Sequence, residues 1–433
     1  MKSSHRLFWV WVGILVISLL PVLFWGLSGE KNDSLSHNLG VVFGLVGMTM
    51  FALTFLFSSK MKWVEKIVNG LDKSYITHGI LGSLALIVIM AHPILLVLKF
   101  VPEQINIAAS YLLPGSHWSV NFGIISILTL IILIVMTLFV RMKYNHWKFS
   151  HEFLGLVFLF AVFHVFFIKT NIAQGNIFEG YYIYAAIVSF IGLFSFAHSF
   201  FYKKHISNHF KYTVKSVNNI GDFFEIVMTP EDKVMSYEAG QFIFVKFRNK
   251  KLGKESHPFS IASMSGSRDV VIVVKKLGDY TGKLSFLEKG DLALIDGPYG
   301  KFSYKKYRDS NQVWIAAGVG VTPFIGMAQD VSVDDSFEGK VNLIYTARKE
   351  NEILGDNIFK DAEKKSSKFK YMPWVSSKDG RLDVKRIFEI SGKFRDKEFF
   401  ICGPEEFKKS IITSLLKSGV SQNRVHEEAF NFK

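Results

Sequence analysis

Two apolar stretches of this chain each carry a pair of histidines at nearly the same spacing. Residues 75–98 read YITHGILGSLALIVIMAHPILLVL, and residues 151–168 read HEFLGLVFLFAVFHVFFI. Each stretch is about long enough to cross the ~30 Å hydrocarbon core of a bilayer as a helix. The first pair is 14 residues apart and the second is 13 apart, which is roughly 20 Å along a helix axis. Each helix therefore places one imidazole near the inner surface of the membrane and the other near the outer surface.

The first half of the chain contains four more stretches of this kind. Residues 1–204 contain 21 charged side chains and residues 205–433 contain 67, which excludes a uniform globule, a disordered chain and a collagen-like fibre. The first stretch follows basic residues as a signal peptide does, but its length and the lack of a small-residue cleavage site favour a retained span. The six predicted membrane spans are residues 7–28, 38–58, 75–98, 118–140, 151–168 and 180–202.

Basic residues between the spans predict how the chain crosses the membrane. The N-terminus and the loops 59–74 and 141–150 hold nine Lys or Arg, whereas the opposite loops hold three. Because positive loops stay inside, we expect a multi-pass protein of the cell membrane with both termini in the cytoplasm. The same asymmetry explains much of the net charge of +14. The basic residues flank spans and do not alternate with stacking aromatic residues, which argues against nucleic-acid binding.

The depth of the histidines predicts a haem site. The third and fifth spans run in the same direction, so His78 is level with His151, and His92 is level with His164. Two facing imidazoles are suited to the axial positions of a haem iron, and two such layers would hold two haems. The alternative is that each histidine bonds to a neighbouring helix. A 13-residue interval also leaves an angular offset of about 140° on a straight helix, so the fifth span must bend or its haems must lie on different flanks.

The second half of the chain changes from short strands to an alternation of strands and helices. Runs such as 241–247 and 270–274 are β-rich and are separated by turn residues. After residue 312, strands alternate with helical segments, which is typical of a βαβ array. The pattern predicts a small antiparallel barrel followed by a doubly wound α/β sheet. The single cysteine excludes an internal disulfide and a Cys-ligated iron–sulfur cluster.

Two motifs in the barrel region suit a flavin nucleotide. An aromatic residue beside a hydroxyl, at Phe259 and Ser260, fits a flavin ring and its polar side chain, and the backbone amides of 278–282 fit a pyrophosphate. Ordinary turns between strands are the alternative for each motif alone. The candidate cofactor-binding residues here are His257, Pro258, Phe259, Ser260, Lys275, Gly278, Tyr280 and Thr281.

A hydrophobic strand at 313–317 runs into a glycine turn that suits a dinucleotide. The turn places close-approaching backbone at a helix N-terminus, as a dinucleotide phosphate requires. Pro323 replaces the third glycine of the usual fingerprint, and a plain strand–turn–helix is the competing interpretation. The candidate nucleotide-binding residues of the turn are Gly318, Gly320, Thr322 and Pro323.

A second strand, at 399–402, ends in Cys402-Gly403-Pro404. The carboxyl ends of such strands line the ligand crevice, so Cys402 lies near a nicotinamide or is a small buried hydrophobic residue. Arg348 follows another strand and suits a 2′-phosphate, which favours NADPH over NADH. An exposed arginine without a ligand is the alternative for Arg348.

Taken in this order, the motifs resemble the NADPH oxidase and ferric reductase superfamily over nearly the whole chain, and most closely its single-chain bacterial NADPH oxidases. The family pattern combines six helices, the same 14- and 13-residue histidine intervals, and flavin and nucleotide domains. The resemblance implies a six-span haem domain at 1–204, an FAD-binding β-barrel at 205–308 and an NAD(P)H-binding α/β domain at 309–433. It also implies that a near-terminal aromatic residue, by position Phe432, covers the flavin. The alternative is a C-terminal strand that buries the alternate residues Phe430 and Phe432.

The resemblance implies transmembrane electron transfer from cytosolic NADPH through FAD and two b-type haems to oxygen, with superoxide released outside. It names Cys402 and Phe432 as catalytic residues, and His78, His92, His151 and His164 as the metal ligands. A ferric or other metal reductase that uses the same path is the alternative. A haem-free transporter or sensor with a nucleotide-binding domain is a different class that also remains open. The sequence has no calcium-binding loop and no insert for activator subunits, so we expect no obligatory protein partner.

Overall fold

The computed structural model describes residues 3–27, 34–142, 144–168, 176–201, 210–253, 255–392 and 396–428. The chain forms two compact units, Met1–Ser207 and Asn208–Lys433. The first unit is helical, and the second contains two β-sheets.

The helices of the first unit follow its long apolar runs. They are α1 Ser3–Leu27, α2 Leu35–Ser58, α3 Lys62–Val68, α4 Leu71–Val97, α5 Ile105–Ser110, α6 Trp118–Phe139, α7 Tyr144–Glu152, α8 Leu154–Phe167 and α9 Asn176–Ala197. Within the described residues, six stretches are long and apolar enough to cross a membrane: Arg6–Gly26, Leu35–Ser58, Leu71–Phe100, Trp118–Phe139, His146–Phe167 and Tyr182–Phe201. Each overlaps one predicted span, so the six-span prediction is confirmed. The third and fifth spans begin earlier than predicted, because polar residues at their first turns lowered the sequence signal.

Close packing of α2 against α4 depends on glycines. A Cβ added at Gly40 would lie 2.8 Å from Cδ2 of Leu96, and one added at Gly44 would lie 2.7 Å from the ring of His92. These glycines lie four residues apart and therefore on one helix face. Small residues let membrane helices approach closely, so this face of α2 is shaped to receive α4.

The fifth span is interrupted between its two histidines. Helix α7 ends at Glu152 and α8 begins at Leu154. The amide of Phe153 donates to the Ser150 carbonyl at 3.2 Å, and the amide of Leu156 donates to the Phe153 carbonyl at 2.9 Å. These three-residue bonds wind the chain more tightly, by about 20° per residue, than an α-helix does. The tighter winding reduces the angular offset that the 13-residue interval would leave on a straight helix.

The second unit begins with an antiparallel barrel. Its strands are β1 Phe210–Ile220, β2 Phe223–Pro230, β3 Phe242–Arg248, β4 His257–Ser260, β5 Val270–Lys275 and β6 Leu292–Tyr299, with helix α10 Gly278–Thr281 between the last two. The strand order is β4-β3-β6-β1-β2-β5. An antiparallel bridge between Ile261 and Ile272 joins the two outer strands, so the sheet closes. Phe224, Ile226 and Met228 alternate along β2 and fill the interior. The predicted barrel is confirmed.

A parallel sheet follows the barrel. Its strands are β7 Asn311–Ala317, β8 Val341–Ala347, β9 Phe369–Val375, β10 Lys397–Cys402 and β11 Val425–Glu427, and its helices are α11 Thr322–Val331, α12 Asp356–Lys365, α13 Ser376–Asp379, α14 Val384–Ser391 and α15 Glu405–Lys417. The strand order is β11-β10-β7-β8-β9. After β7, the strands β8 and β9 are added on one side of it, and β10 and β11 are added on its other side. The predicted doubly wound sheet is confirmed, and its strand order reverses between β7 and β10.

The segment that connects β6 to β7 packs into the α/β core. Tyr304 is fully buried and its ring contacts Trp314 and Phe337, at centroid distances of 6.2 and 5.6 Å. Its hydroxyl donates to Asp334 at 2.8 Å. Burial, and then the bond to Asp334, raise the pKa of the Tyr304 hydroxyl well above its ordinary value. The hydroxyl therefore remains a donor that anchors this connection to the residues just after α11.

Candidate functional site

The structure brings His78 of α4 and His151 of α7 together. Their ring centroids are 6.1 Å apart and the rings are inclined at 76°. Nδ1 of His78 donates to the Thr54 carbonyl of α2 at 2.8 Å. The ring of Trp147 stacks on His151 with centroids 5.2 Å apart. In the described part of the chain, Nδ1 of His151 is buried without a hydrogen-bond partner.

The second pair joins His92 of α4 to His164 of α8. These ring centroids are 6.4 Å apart, at an inclination of 68°. Nδ1 of His92 donates to the Gly40 carbonyl at 2.7 Å, and Nδ1 of His164 donates to the Ser119 carbonyl at 2.8 Å. The pairing therefore follows the matched depths that the sequence indicates.

Glycines on the supporting helices make room for this second pair. A Cβ at Gly44 would lie 2.7 Å from Nδ1 of His92, and a Cβ at Gly123 would lie 2.8 Å from Nδ1 of His164. Each glycine lies four residues after the carbonyl that its histidine contacts, on α2 and on α6. Sequence reasoning missed both glycines. The four-residue spacing of the small residues Gly40 and Gly44 in α2 is a signal that would have indicated Gly44.

Both pairs fit the axial positions of a haem. A ring whose Nδ1 donates to a carbonyl carries its proton there, which leaves Nε2 with a free lone pair. A metal–imidazole bond is about 2 Å and a ring nitrogen lies about 1.2 Å from the ring centre, so two rings that bind one metal from opposite sides have centres about 6.4 Å apart. The observed separations of 6.1 and 6.4 Å agree with that value. Two ligands are also the number that a porphyrin leaves open on iron. Among the described residues, no three His, Cys, Asp or Glu side chains form a metal-binding group.

The two flavin motifs meet at the end of the barrel. The ring of His257, in β4, stacks on Tyr280 of α10 with centroids 3.6 Å apart. Phe259 and Ser260 are buried at the end of the same strand, and Pro258 lies between His257 and Phe259 in it. Burial raises the pKa of the Tyr280 hydroxyl well above its ordinary value, so this hydroxyl stays protonated.

The remaining flavin candidates lie at the end of β5 and in the turn that follows it. Lys275 is the last residue of β5 and is exposed. Gly278 has a φ of +85°, a conformation that glycine adopts without strain. Thr281 bonds through its hydroxyl to the Leu277 carbonyl, and it accepts from the Leu277 amide at 2.9 Å. These bonds close the turn and fix its amides at the start of α10.

The two turns of the α/β sheet are in contact. β7 and β10 are neighbouring parallel strands in which Ala316 pairs with Cys402. A Cβ at Gly320 would lie 2.5 Å from the amide nitrogen of Gly403 and 2.6 Å from the carbonyl oxygen of Cys402. Only glycine therefore fits at position 320. The contact lies at the carboxyl ends of the two strands between which the strand order reverses, which is where doubly wound sheets bind ligands.

The candidate phosphate end of the site is the start of α11. Gly318 has a φ of +54° and begins the turn. Thr322 donates through its hydroxyl to the Val319 carbonyl at 2.7 Å, and Pro323 occupies the first turn of the helix, where a missing N–H leaves no bond unmade. Arg348 is exposed just after β8, the neighbour of β7, and so belongs to the same edge of the sheet.

Cys402 is buried at this edge, with 1% of its surface exposed. Burial, and then the nearby carboxylate of Glu428, raise the pKa of its thiol well above the ordinary value. The thiol is therefore neutral at physiological pH. The sequence left open a residue beside the nicotinamide or a small buried one. The structure shows the burial, and the position at the strand end keeps Cys402 next to the candidate crevice.

A buried lysine near this edge was not predicted. Lys408 of α15 lies 3.1 Å from Glu405 and 3.2 Å from Glu427, and it donates to the Glu428 carbonyl at 3.1 Å. Burial opposes its charge, but these carboxylates raise the pKa of Lys408. Position 408 falls on the buried face of α15 together with residues 411 and 415, so a lysine on an apolar helix face was the missed signal. The contacts fix the end of β11, from which the chain continues to Phe432. Phe432 itself lies outside the described residues.

Comparison with known families covers the chain in three consecutive parts. Residues 43–162 match the ferric reductase like transmembrane component, residues 206–303 match an FAD-binding domain, and residues 314–412 match the oxidoreductase NAD-binding domain. The six apolar helices and the first match together show a multi-pass membrane protein. The second and third show an oxidoreductase with binding domains for FAD and a nicotinamide nucleotide.

Individual curated relatives match about half of the chain. The ferredoxin reductase component of 3-ketosteroid-9-alpha-monooxygenase from Mycobacterium tuberculosis is 23% identical over 45% of this chain and 55% of its own length. A flavohemoprotein from Candida albicans is 28% identical over 49% of this chain and 57% of its own length. The chain thus spans little more than half the length of these relatives. A flavohemoglobin structure from Malassezia yamatoensis, with bound FAD and heme, is similar in fold with a TM-score of 0.51 and 17% identity, over 91% of this chain and 96% of that one.

Proposed function

Because the chain has the architecture of the NADPH oxidase and ferric reductase superfamily, a ferric reductase-like membrane domain followed by FAD-binding and NAD-binding domains, we propose that it carries electrons from cytosolic NADPH across the membrane to oxygen. The balanced reaction is NADPH + 2 O₂ → NADP⁺ + H⁺ + 2 O₂•⁻, with superoxide released on the outer side. The observation that carries the proposal is that one helical membrane unit contains two histidine pairs, whose ring centroids are 6.1 and 6.4 Å apart.

The histidines would hold the iron of the two haems. His78 with His151, and His92 with His164, would each hold one haem through two imidazoles, and the haems would supply one-electron transfer toward oxygen. FAD, when bound, would accept a hydride and pass its electrons on one at a time to the two haems. The carbonyls of Thr54, Gly40 and Ser119 hold three of the four rings in place for this role.

The dehydrogenase unit would orient NADPH and the flavin. The turn from Gly318 to Gly320 and the start of α11, at Thr322 and Pro323, bind the pyrophosphate of NADPH. Arg348 takes the 2′-phosphate. Cys402-Gly403-Pro404 lies beside the nicotinamide, where the neutral thiol of Cys402 excludes water.

The flavin would be held at the end of the barrel by β4, by the turn after β5 and by the end of the chain. The proposed contacts come from the β4 motif, from Lys275 and from the turn that follows β5, and Phe432 covers the flavin from the end of the chain. The residues are His257, Pro258, Phe259, Ser260, Lys275, Gly278, Tyr280, Thr281 and Phe432.

We place the protein in the cell membrane with both termini in the cytoplasm, and we propose that it acts without an obligatory protein partner. The charge bias of the loops supports the orientation. NADPH then reaches the soluble unit from the cytoplasm, and the acceptor reaches the outer face.

A visible spectrum tests the proposal most directly. Purified protein should give a b-type difference spectrum between its reduced and oxidised states, with two haems and one FAD per chain. NADPH consumption should stop without oxygen and should resume little with chelated Fe(III). Strong anaerobic turnover with Fe(III) would identify a metal reductase instead. A haem-free protein would place it among transporters or sensors.

A further inference from the structure

One face of α11 packs directly on the loop that follows the flavin strand β4. A Cβ at Gly326 would lie 2.5 Å from the carbonyl oxygen of Ser263. The side-chain amide of Gln329 donates to the Ala262 carbonyl at 3.4 Å. Positions 326, 329 and 330 lie three and four residues apart, so they share this face. The loop from 262 to 265 is therefore the surface against which α11 is seated.

A single buried carboxylate fastens this contact. Asp330 is 4% exposed. It accepts from the amide of Ser265 at 2.7 Å and from the Ser265 hydroxyl at 2.5 Å. It also lies 3.2 Å from Nζ of Lys305, which belongs to the connection between β6 and β7. Asp330 thus joins α11, the loop after β4 and the connection between the two sheets.

The same elements carry the two halves of the proposed hydride-transfer site. Helix α11 begins at Thr322, the candidate phosphate end, about 12 Å along the axis from Asp330. Ser265 follows Ser260 of the flavin motif by five residues. Because a helix and a short anchored loop are stiff, a change at Asp330 would shift the nucleotide end of α11 relative to β4.

We propose that Asp330 is a positioning residue, which sets the distance between the nicotinamide and the flavin by clamping α11 to Ser265. This inference rests on the proposed function of the soluble unit. Asp330 lies at the end of α11 opposite the candidate pyrophosphate site, so it acts through Ser265 and Lys305. A misplacement of 1 Å can slow a reaction by about 100-fold, so a loose clamp should slow hydride transfer far more than it weakens binding.

The test compares Asp330→Ala and Asp330→Asn in the full-length protein loaded with its cofactors. Flavin reduction by NADPH is followed by anaerobic stopped-flow absorbance. We expect Asp330→Ala to slow it by about 10- to 100-fold, while the dissociation constant of NADPH and the FAD content change little. The deuterium isotope effect with 4-deuterated NADPH should rise and the nicotinamide–flavin charge-transfer absorbance should fall. Asp330→Asn keeps an acceptor for the Ser265 amide but loses the charge facing Lys305, so its effect should be smaller.

Asp334→Asn is the matched control. Asp334 accepts from Tyr304 of the same connection, but it makes no described contact with the loop after β4. This variant should keep the wild-type rate of flavin reduction. The double variant Ser265→Ala/Asp330→Ala should be no slower than Asp330→Ala alone, because both changes break one clamp.

Hydrogen–deuterium exchange provides a readout that does not depend on turnover. In Asp330→Ala, exchange should quicken in the loop at 262–265 and in α11, and stay unchanged in β1 and β2. Unchanged exchange in that loop, or flavin reduction within about twofold of wild type in both variants, would overturn the clamp. Failure of the wild-type protein to reduce its flavin with NADPH would instead refute the proposed function. In that case, hydrogen–deuterium exchange in the loop at 262–265 would by itself show whether Asp330 clamps α11.

Discussion

The carbonyl of Gly40 accepts a hydrogen bond from Nδ1 of His92 at 2.7 Å, across the interface between α2 and α4. Helix α2 supplies none of the four paired histidines, yet it orients both histidines of α4, since Thr54 contacts His78 in the same way. Helix α6 does the same for His164 through Ser119. Such partners fix the tautomer and direction of a metal-binding imidazole. The helices without ligands are therefore part of the proposed haem site.

Replacing Gly44 by Ala should remove the haem that we propose His92 and His164 hold. The added Cβ would lie 2.7 Å from the His92 ring, which must then leave its bond to Gly40. We expect the haem content to fall by about half, with the haem at His78 and His151 retained. Haem extraction and the difference spectrum measure the loss.

The matched control for this change is Gly79→Ala in α4. Nothing lies within 4 Å of a Cβ at Gly79, although the residue adjoins His78. This variant should keep the full haem content. A Gly44→Ala protein with its full haem content and an unaltered spectrum would contradict the proposed role of α2.

Breaking one histidine pair should separate flavin reduction from superoxide release. In His151→Ala, the pair with His78 loses one ligand, so electrons can enter the protein but cannot cross the membrane. NADPH should still reduce the flavin in stopped-flow experiments, while superoxide release falls to background. His117→Ala, which changes an exposed histidine at the start of α6, should release superoxide normally. Undiminished release by His151→Ala would exclude this path.

The sequence predicted the arrangement of the spans because apolar length and histidine depth are local properties. It could not place the break at Phe153, since the break depends on three-residue bonds that the helix makes around that residue. It also missed the carbonyl of Gly40, which lies 52 residues from His92. A bond between distant residues leaves little trace in either segment alone.

In the second half of the chain, the sequence predicted the turns at 318–320 and 402–404, but it did not predict that the two turns contact each other. Gly320 and Gly403 meet only because β7 and β10 become neighbours in the folded sheet. The buried position of Lys408 could have been read from the apolar face of α15. The hydrogen bond from Lys408 to the Glu428 carbonyl could not be predicted, because it forms only when β11 lies beside β10.

Gly320→Ala should disable the nucleotide site and spare the cofactors. The new Cβ would lie 2.5 and 2.6 Å from backbone atoms of Gly403 and Cys402, which cannot rotate away as a side chain can. We expect kcat/KM for NADPH to fall by at least about tenfold, with haem and FAD content unchanged. Gly115→Ala, in the loop before α6, where a Cβ also meets nothing within 4 Å, is the control. Equal kcat/KM in the two variants would show that the turn does not bind NADPH.

Arg348→Ala should change the preference between NADPH and NADH. A charged hydrogen bond contributes about 1.5–3 kcal/mol, or roughly 10- to 150-fold. We therefore expect kcat/KM to fall by about that factor for NADPH and to stay nearly constant for NADH. Arg386→Ala removes an exposed arginine that pairs with Glu389 on α14, and it should affect neither substrate. Equal losses with both nucleotides would mean that Arg348 does not contact the 2′-phosphate.

The thiol of Cys402 should resist alkylation in the folded protein even at alkaline pH. Only the thiolate reacts, and burial raises the pKa of this thiol well above its ordinary value. An unfolded thiol ionises near pH ~8.5, so the folded state keeps the proton where the unfolded state releases it. Folding is therefore favoured most below that pH, and this contribution to the free energy of unfolding is lost as the pH rises toward the folded pKa.

Cys402 is the only cysteine, so mass spectrometry of iodoacetamide-treated protein reports on it alone. Alkylation between pH 7 and 9 should be slow in native protein and fast in denatured protein, and the melting temperature of Cys402→Ala should fall less than that of wild type over this range. Rapid native alkylation with an ordinary thiol pH profile would place Cys402 in contact with solvent.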